Sequence, residues 1–185
     1  MQRMNKQYYQ QTVMPALQKQ LGIANIMAVP GIKKVIVNMG VTQPQDPKAR
    51  LQICQNITEQ FAAITGQKPQ ITRAKKSIST FKLRQGDPVG VMVTLRGDSM
   101  WQFLQRLVIV ALPRVKDFRG VSRAAFDARG TYSMGIEEQI VFPEINYDTI
   151  DRIRPLQVVI VTSAAKPVHA LALLEALGMP FAKEE

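Results

Sequence analysis

Between Glu59 and Asp87 the sequence holds no carboxylate, yet six cations fall there: Lys68, Arg73, Lys75, Lys76, Lys82 and Arg84. Ser77, Ser79 and Thr80 place hydroxyls among them, Ile78, Phe81 and Leu83 add apolar contacts, and Gly86, Asp87 and Pro88 form a turn. Cations for phosphate, hydroxyls for positioning and an anchored backbone are what a nucleic-acid contact needs. Charge runs are commonly no more than solvated faces, but ordinary surfaces interleave both signs and this stretch does not. Its like charges repel, and its few apolar residues hardly offset the entropy of ordering them. Residues 73–86 are therefore expected to be mobile at the tip in the free protein and to order against phosphate.

The other residues able to do chemistry point nowhere. His169 has no cysteine or carboxylate cluster at ligand spacing and reads as a surface or packing residue. Cys54, the one cysteine, falls on the apolar stripe of a helix, where a free thiol behaves as a small hydrophobe. It excludes an internal disulfide and a cysteine-rich zinc site. The Gly86–Gly90 segment lacks the Gly-Lys-Ser/Thr ending of a phosphate loop and leads into a strand. Glu137 with Glu138, and Asp148 with Asp151, are pairs that could hold a metal, but they read better as solvated acids. No enzyme, metal or cofactor is expected.

The whole chain supports a binding role. Its 185 residues suit one domain, 46% hydrophobic content suffices for a core, and the net charge of +10 favours a polyanionic partner. An anionic membrane is the rival on charge, but no basic amphipathic helix supports it. No apolar run approaches the ~20 residues of a membrane span. The N-terminal MQRMNKQYYQQ lacks an apolar signal core, so a cytoplasmic location is expected. Charge is also divided: residues 1–129 carry 20 cations against 6 carboxylates, net +14, and the remainder carries net −4. That division suits a protein with one RNA-facing side.

The elements that position these residues follow from periodicity. Residues 6–21 read as a helix with Tyr9, Val13, Ala16 and Leu17 inward, and Pro15 should kink it or start it anew. In the first strand Val35, Val37 and Met39 alternate with Lys34, Ile36 and Asn38, and Gly40 closes it. Asp46 and Pro47 open a helix carrying Leu51, Cys54, Thr58, Phe61 and Thr65 inward, up to Gly66. After the basic arm, Val89, Val91, Val93 and Leu95 share one face of a strand, and Met92, Thr94 and Arg96 the other. Gly97 and Asp98 should cap a helix carrying Trp101, Leu104, Leu107, Val108 and Ala111. Residues 114–134 have no sustained period and read as a long functional loop rich in arginine. Strands are expected at 136–142 and 157–162, then a helix opened by Lys166 and Pro167 with Val168, Leu171, Leu174 and Leu177 inward. The class is α+β: a largely antiparallel sheet with helices on one face, an open face for RNA, and two protruding loops.

Six strings carry a resemblance across nearly the whole chain: VPGIKKVIVNMGV (29–41), ITGQKPQITRAKKSISTFKLRQGDPVG (64–90), VTLRG (93–97), ALPRVKDFRGVS (111–122), FDARGTYSMGIEEQIVFPEINYD (126–148) and LGMPF (177–181). The chain resembles the bacterial large-subunit ribosomal protein five family, the 5S rRNA-binding proteins of the central protuberance. The resemblance implies a structural, non-enzymatic protein of the ribosome whose open sheet face meets 5S rRNA through Lys34, Asn38, Gln67, Thr94 and Arg96. It implies that the arm, with Arg73, Lys75, Lys76, Ser77, Lys82 and Arg84, approaches P-site tRNA. The long loop, with Arg114, Lys116, Arg119, Arg123 and Arg129, would help bridge to small-subunit ribosomal protein thirteen. Large-subunit rRNA and neighbouring large-subunit proteins complete the implied partners. A free-standing RNA chaperone is the alternative. Departures from the family pattern are Ala128 for a glycine, Thr131 for an asparagine, and Pro155 after Arg154. Alanine resists backbone angles that glycine tolerates, so Ala128 bears on the shape of the long loop.

Overall fold

The computed structural model describes residues 4–43, 46–145 and 150–182, which leaves Asp148 outside it. Five strands form one antiparallel sheet: β1 (Ile32–Gly40), β2 (Gln70–Arg73), β3 (Pro88–Leu95), β4 (Tyr132–Ile136) and β5 (Leu156–Thr162), in the order β2-β3-β1-β5-β4. Alternation puts Val35, Val37 and Met39, Val91, Val93 and Leu95, Val158 and Ile160, and Tyr132 and Met134 into one buried face. The long helices cover that face: α3 (Pro47–Thr65) lies along β3 and β2, and α4 (Gly97–Arg106) touches α3 and β1. Helix α5 (Pro167–Ala176) packs on α2 (Met14–Leu21). The class is α+β, as periodicity indicated.

Local chemistry explains most boundaries. The Asp46 carboxylate accepts the Lys48 N–H at 3.1 Å at the start of α3, and Gly66 ends it at φ 70°, where its N–H bonds to Ala62 O at 2.8 Å. The short α1 (Lys6–Tyr8) runs through a π turn, Tyr9–Val13, into α2, so that Met14 N–H donates to Tyr9 O. That wide turn precedes Pro15, which lacks an N–H and sits in the first turn of α2, so the proline starts a new segment. Cys54 is fully buried on α3, and burial pushes its thiol pKa up.

Several expectations need correction. The strand expected at 136–142 lies earlier, at Tyr132–Ile136, where Tyr132, Met134 and Ile136 point inward and Ser133 and Gly135 outward. Beyond it Gln139 is buried in a 3₁₀ turn, donates to Arg152 O at 3.0 Å and accepts the Arg154 N–H, which draws the chain out of the ladder. The long loop accordingly gives up Tyr132, Ser133 and Met134 to β4, and Arg114 belongs to a 3₁₀ turn at Leu112–Arg114. Ala16 is exposed, and Val168 is 69% exposed; Ala170, Leu173, Leu174 and Leu177 carry the inward face there. On α3 the core includes Ile57 and Ile64, while Leu51 and Thr58 are half-buried. Val89 is half-buried at the start of β3. Arg96 occupies the N-cap of α4 without a side-chain bond, and Asp98 sits in the first turn, where the helix dipole favours an anion.

Candidate nucleic-acid interface

Because the helices take one face of the sheet, the other is left to solvent. Lys34, Ile36, Asn38 and Gly40 of β1 look out on it. The register sets Thr94 and Val159 on either side of Ile36, and Met92 and Gln157 on either side of Asn38. β4 adds Ser133 beside Val159 and Gly135 beside Gln157, and β2 adds Gln70 beside Met92. Lys34 and Arg96 lie just beyond the last β1–β3 pair, Val35 with Leu95, and Arg96 is there the N-cap of α4. The face therefore consists of amides, hydroxyls, glycines and a few apolar side chains, with two cations at one end and no acidic residue among these positions.

Of the five residues assigned to 5S rRNA, Lys34, Asn38 and Thr94 lie on the open face of β1 and β3, and Arg96 follows β3 at the N-cap of α4. Gln67 does not join them on a strand. It is exposed in the turn between α3 and β2, with its N–H donating to Thr65 Oγ1 at 3.3 Å and its carbonyl accepting from the same hydroxyl at 3.1 Å. Sequence reasoning missed Gln157, Ser133, Gly135 and Gln70. Alternation in 157–162 already put Gln157 opposite the buried positions, but its strand neighbour could not be known. Ser133 and Gly135 were hidden by the misplaced strand.

The arm has a frame of its own. Ala74 N–H donates to Asp87 O at 2.8 Å and Gly86 N–H to Ala74 O at 3.0 Å, continuing the hairpin beyond β2 and β3. Ile78 and Leu83 exchange both backbone bonds around a 3₁₀ turn at Ser79–Phe81. Ser77 Oγ accepts the Gln85 N–H at 2.9 Å, the Asp87 carboxylate accepts the Arg84 N–H at 2.9 Å, and the Arg73 guanidinium donates to Gly86 O at 2.9 Å. Lys75, Lys76, Lys82 and Arg84 are exposed and form no ion pair among the described residues. Phe81 is 69% exposed at the tip. Lys82 adopts φ 49°, left-handed backbone that costs an L side chain roughly 1–2 kcal/mol.

The arginine-rich loop folds back on the C-terminal segment. Val121 N–H donates to Pro180 O at 2.8 Å and Ala182 N–H to Val121 O at 2.9 Å. Gly120, at φ 103°, lies so close that a Cβ there would stand 2.4 Å from Ala182 N. Tyr132 Oη donates to Ser122 O at 2.8 Å, and burial pushes that phenol up to about 12. Arg123 is engaged internally: it donates to Ala182 O at 3.1 Å, pairs with Glu175 at 3.0 Å and lies 5.9 Å above the Phe181 ring. Arg114, Lys116, Arg119 and Arg129 remain exposed. Asp127 closes the turn after Phe126, accepting the N–H groups of Arg129 and Thr131, and those bonds, Thr131 first, hold its carboxyl below the usual range. Ala128 is not among the described residues with positive φ, so alanine fits there without strain.

Among the described residues no group of three His, Cys, Asp or Glu side chains is placed to hold a metal ion, and no helix is long and apolar enough to cross a membrane. Asp151 is engaged bidentately by Arg154, both oxygens at 2.8 Å.

An uncovered antiparallel floor thus stands beside a cationic hairpin, and comparison with known proteins identifies the class of protein that carries them. The family model described as ribosomal protein L5 matches residues 25–84, and the model describing the C-terminus of that ribosomal family matches residues 88–181. The large ribosomal subunit protein uL5 of Symbiobacterium thermophilum is 54% identical over 179 residues, covering 96% of this chain and 97% of that protein. The uL5 of Chloroflexus aggregans is likewise 54% identical over 179 residues, covering 97% of each. The chain belongs to the ribosomal protein L5 family of the large subunit, bacterial in type. It is a structural, non-enzymatic component of the ribosome.

Proposed function

We propose that this protein binds 5S rRNA on its open sheet face and attaches it in the central protuberance of the large subunit. The single observation that carries the reading is the shared face of β1 and β3. Lys34, Asn38 and Thr94 share that face, which the helices leave bare, and Arg96 follows at the end of β3. Hydrogen bonds from a rigid sheet can fix an RNA's register, while two cations at one end meet its phosphates. The arm, with Arg73, Lys75, Lys76, Ser77, Lys82 and Arg84, reaches P-site tRNA through backbone phosphate. That mode of contact is indifferent to sequence and so accepts every tRNA in turn. The exposed cations of the loop, Arg114, Lys116, Arg119 and Arg129, contribute to an intersubunit bridge with small-subunit protein thirteen, and Arg123 acts by holding the loop's base.

Sedimentation of cell lysate tests the reading: the protein should travel almost wholly with large subunits and whole ribosomes. A predominantly free pool would favour an RNA chaperone. Filter binding to isolated 5S rRNA then tests the face, since the double variant Lys34→Ala/Arg96→Ala should bind far more weakly than the parent.

A further inference from the structure

The string LGMPF at 177–181 belongs to neither the sheet face nor the arm, yet the chain crosses the molecule there. Gly178, at φ 84°, turns it out of α5, and the Met179 N–H closes that turn on Leu174 O at 3.0 Å. Pro180, Phe181 and Ala182 then run as a strap beside the base of the arginine-rich loop. Val121 and Phe181 form a parallel bridge, through the bonds from Val121 N–H to Pro180 O and from Ala182 N–H to Val121 O. The Phe181 ring completes an aromatic cluster. It lies 6.2 Å from Phe126 and 5.8 Å from Tyr132, edge-on at 81°, and those two rings stand 4.7 Å apart. Tyr132 is the fully buried first residue of β4, so the strap ties the loop to the sheet. Arg123 closes over the join, with its Nε on Ala182 O and its guanidinium above the Phe181 ring.

We infer that Phe181 and the strap around it position the arginine-rich loop for its partner. The inference rests on the reading that this loop joins the two subunits, and it names what aims the contact. The stretch bearing Arg114, Lys116 and Arg119 is anchored at one end by buried Leu112 and at the other by the strap at Val121. Between these anchors β4 gives it little support. A hollow of about 390 Å³, bordered by Val115, Phe118, Gly120, Met134 and Gly135, separates the loop from that strand. Freed of the strap, the loop has room to collapse into the hollow and carry its cations away. A loop already fixed loses less entropy on contact, so the strap strengthens binding without touching the partner. The Arg123–Glu175 pair is more than a third exposed on both sides, so water screens it. Rings and backbone bonds carry the strap, and Arg123 adds mainly its bond to Ala182 and its place over Phe181.

The decisive test removes the ring. In Phe181→Ala, amide exchange across residues 120–126 should speed up about tenfold or more while β1 is unchanged, since each segment opens with its own stability. Binding to 5S rRNA by filter assay should stay within about twofold of the parent, because the open face is remote from the strap. Large subunits carrying the variant should associate with small subunits about fivefold more weakly at limiting magnesium, read by light scattering. Phe181→Tyr keeps the ring and should restore both exchange and association. Phe181→Leu, which keeps apolar bulk but offers Arg123 no ring face, is the milder form of the same test with the same signs. Arg123→Lys keeps the charge but loses the planar fork, so it should loosen 120–126 as Arg123→Ala does. Phe181→Ala/Arg119→Ala should associate little worse than Phe181→Ala alone, because a displaced cation has no contact left to lose.

Unchanged exchange at 120–126 in both Phe181→Ala and Phe181→Leu would show that the strap does not hold the loop, and the inference fails. Faster exchange with normal subunit association would show that the partner takes the loop wherever it lies, and it fails equally. Additive losses in the double variant would make the Arg119 contact independent of the strap, again against it. These outcomes leave the bridge reading standing provided that Arg114→Ala/Lys116→Ala/Arg119→Ala weakens association. If that triple variant associates normally, the loop is no bridge, and the functional reading of the loop fails together with the inference.

Discussion

The open sheet face and the basic arm are built in opposite ways. The face concentrates rigidity: it lies on five paired strands over a continuous core, with amides and glycines along it and two cations at one end. The arm concentrates charge: its exposed cations stand on a hairpin held by a handful of backbone bonds, with Phe81 bare at the tip. On the function proposed above, the difference is the one between recognising and holding. Groups that read must be fixed in advance, because a misplaced amide gains nothing, whereas a cation gains from phosphate over a Debye length of about 8–10 Å. On that proposal the densest charge in the chain is the less specific of its two surfaces.

The sharpest way to break this comparison is to strip the arm. Lys75→Gln/Lys76→Gln/Lys82→Gln should lower the salt slope of P-site tRNA retention on ribosomes by about 2–3, following roughly 0.7–0.9 per phosphate contact. The same variant should bind isolated 5S rRNA almost as the parent does. A loss confined to one tRNA species would overturn the backbone-contact mechanism.

The converse substitutions act on the face. Arg96→Ala and Asn38→Ala should each cost about 1–3 kcal/mol in filter binding to 5S rRNA, as a buried hydrogen bond to RNA is lost. Equal losses from the face and arm sets would show that the surface has been divided wrongly.

A smaller effect separates the two frames. Amide exchange in the free protein should be fastest at Ser79–Phe81, slower at Ala74 and Gly86, and slowest in β1. Lys82→Gly should slow exchange at the tip, because it relieves left-handed backbone by roughly 1 kcal/mol, while weakening the contact with polyanion. Tip amides as protected as those of β1 would end the idea that the arm orders on binding.

The smallest concerns acid. Arg154's hydrogen bonds to the Asp151 carboxylate are the main cause of that group's lowered pKa, just before β5 delivers Gln157 to the face. A depressed native pKa means stability that is full above the ordinary aspartate range and is lost as pH falls through the native value. Asp151→Asn should therefore flatten the acid limb of melting temperature against pH, modestly because the pair is partly solvated. The arm's backbone frame should respond little. An unchanged acid limb would show that the pair does not help seat β5.

Much of this was written locally. Periodicity and caps marked β1, α3, β3 and β5 because alternation in a half-buried strand and an Asp46-Pro47 start express themselves within a few residues. The lack of acid from Glu59 to Asp87 identified the arm for the same reason. Local signals failed where a distant partner decided the outcome. β4 was misplaced because Gln139, an ordinary polar residue in sequence, is buried by bonds to Arg152 and Arg154. Arg123 looked like one more loop cation until the C-terminal segment closed on it. Val168 was counted inward because a helical repeat gives a stripe but not where packing stops.

By itself, then, the sequence determined the class of fold, the basic arm and the alternating faces of β1, β3 and β5, since these depend on residue type and short spacing. Only the tertiary structure decided which strands lie side by side. Order and register are set by long-range pairing in the sheet. That pairing put Asn38 beside Gln157, more than a hundred residues apart.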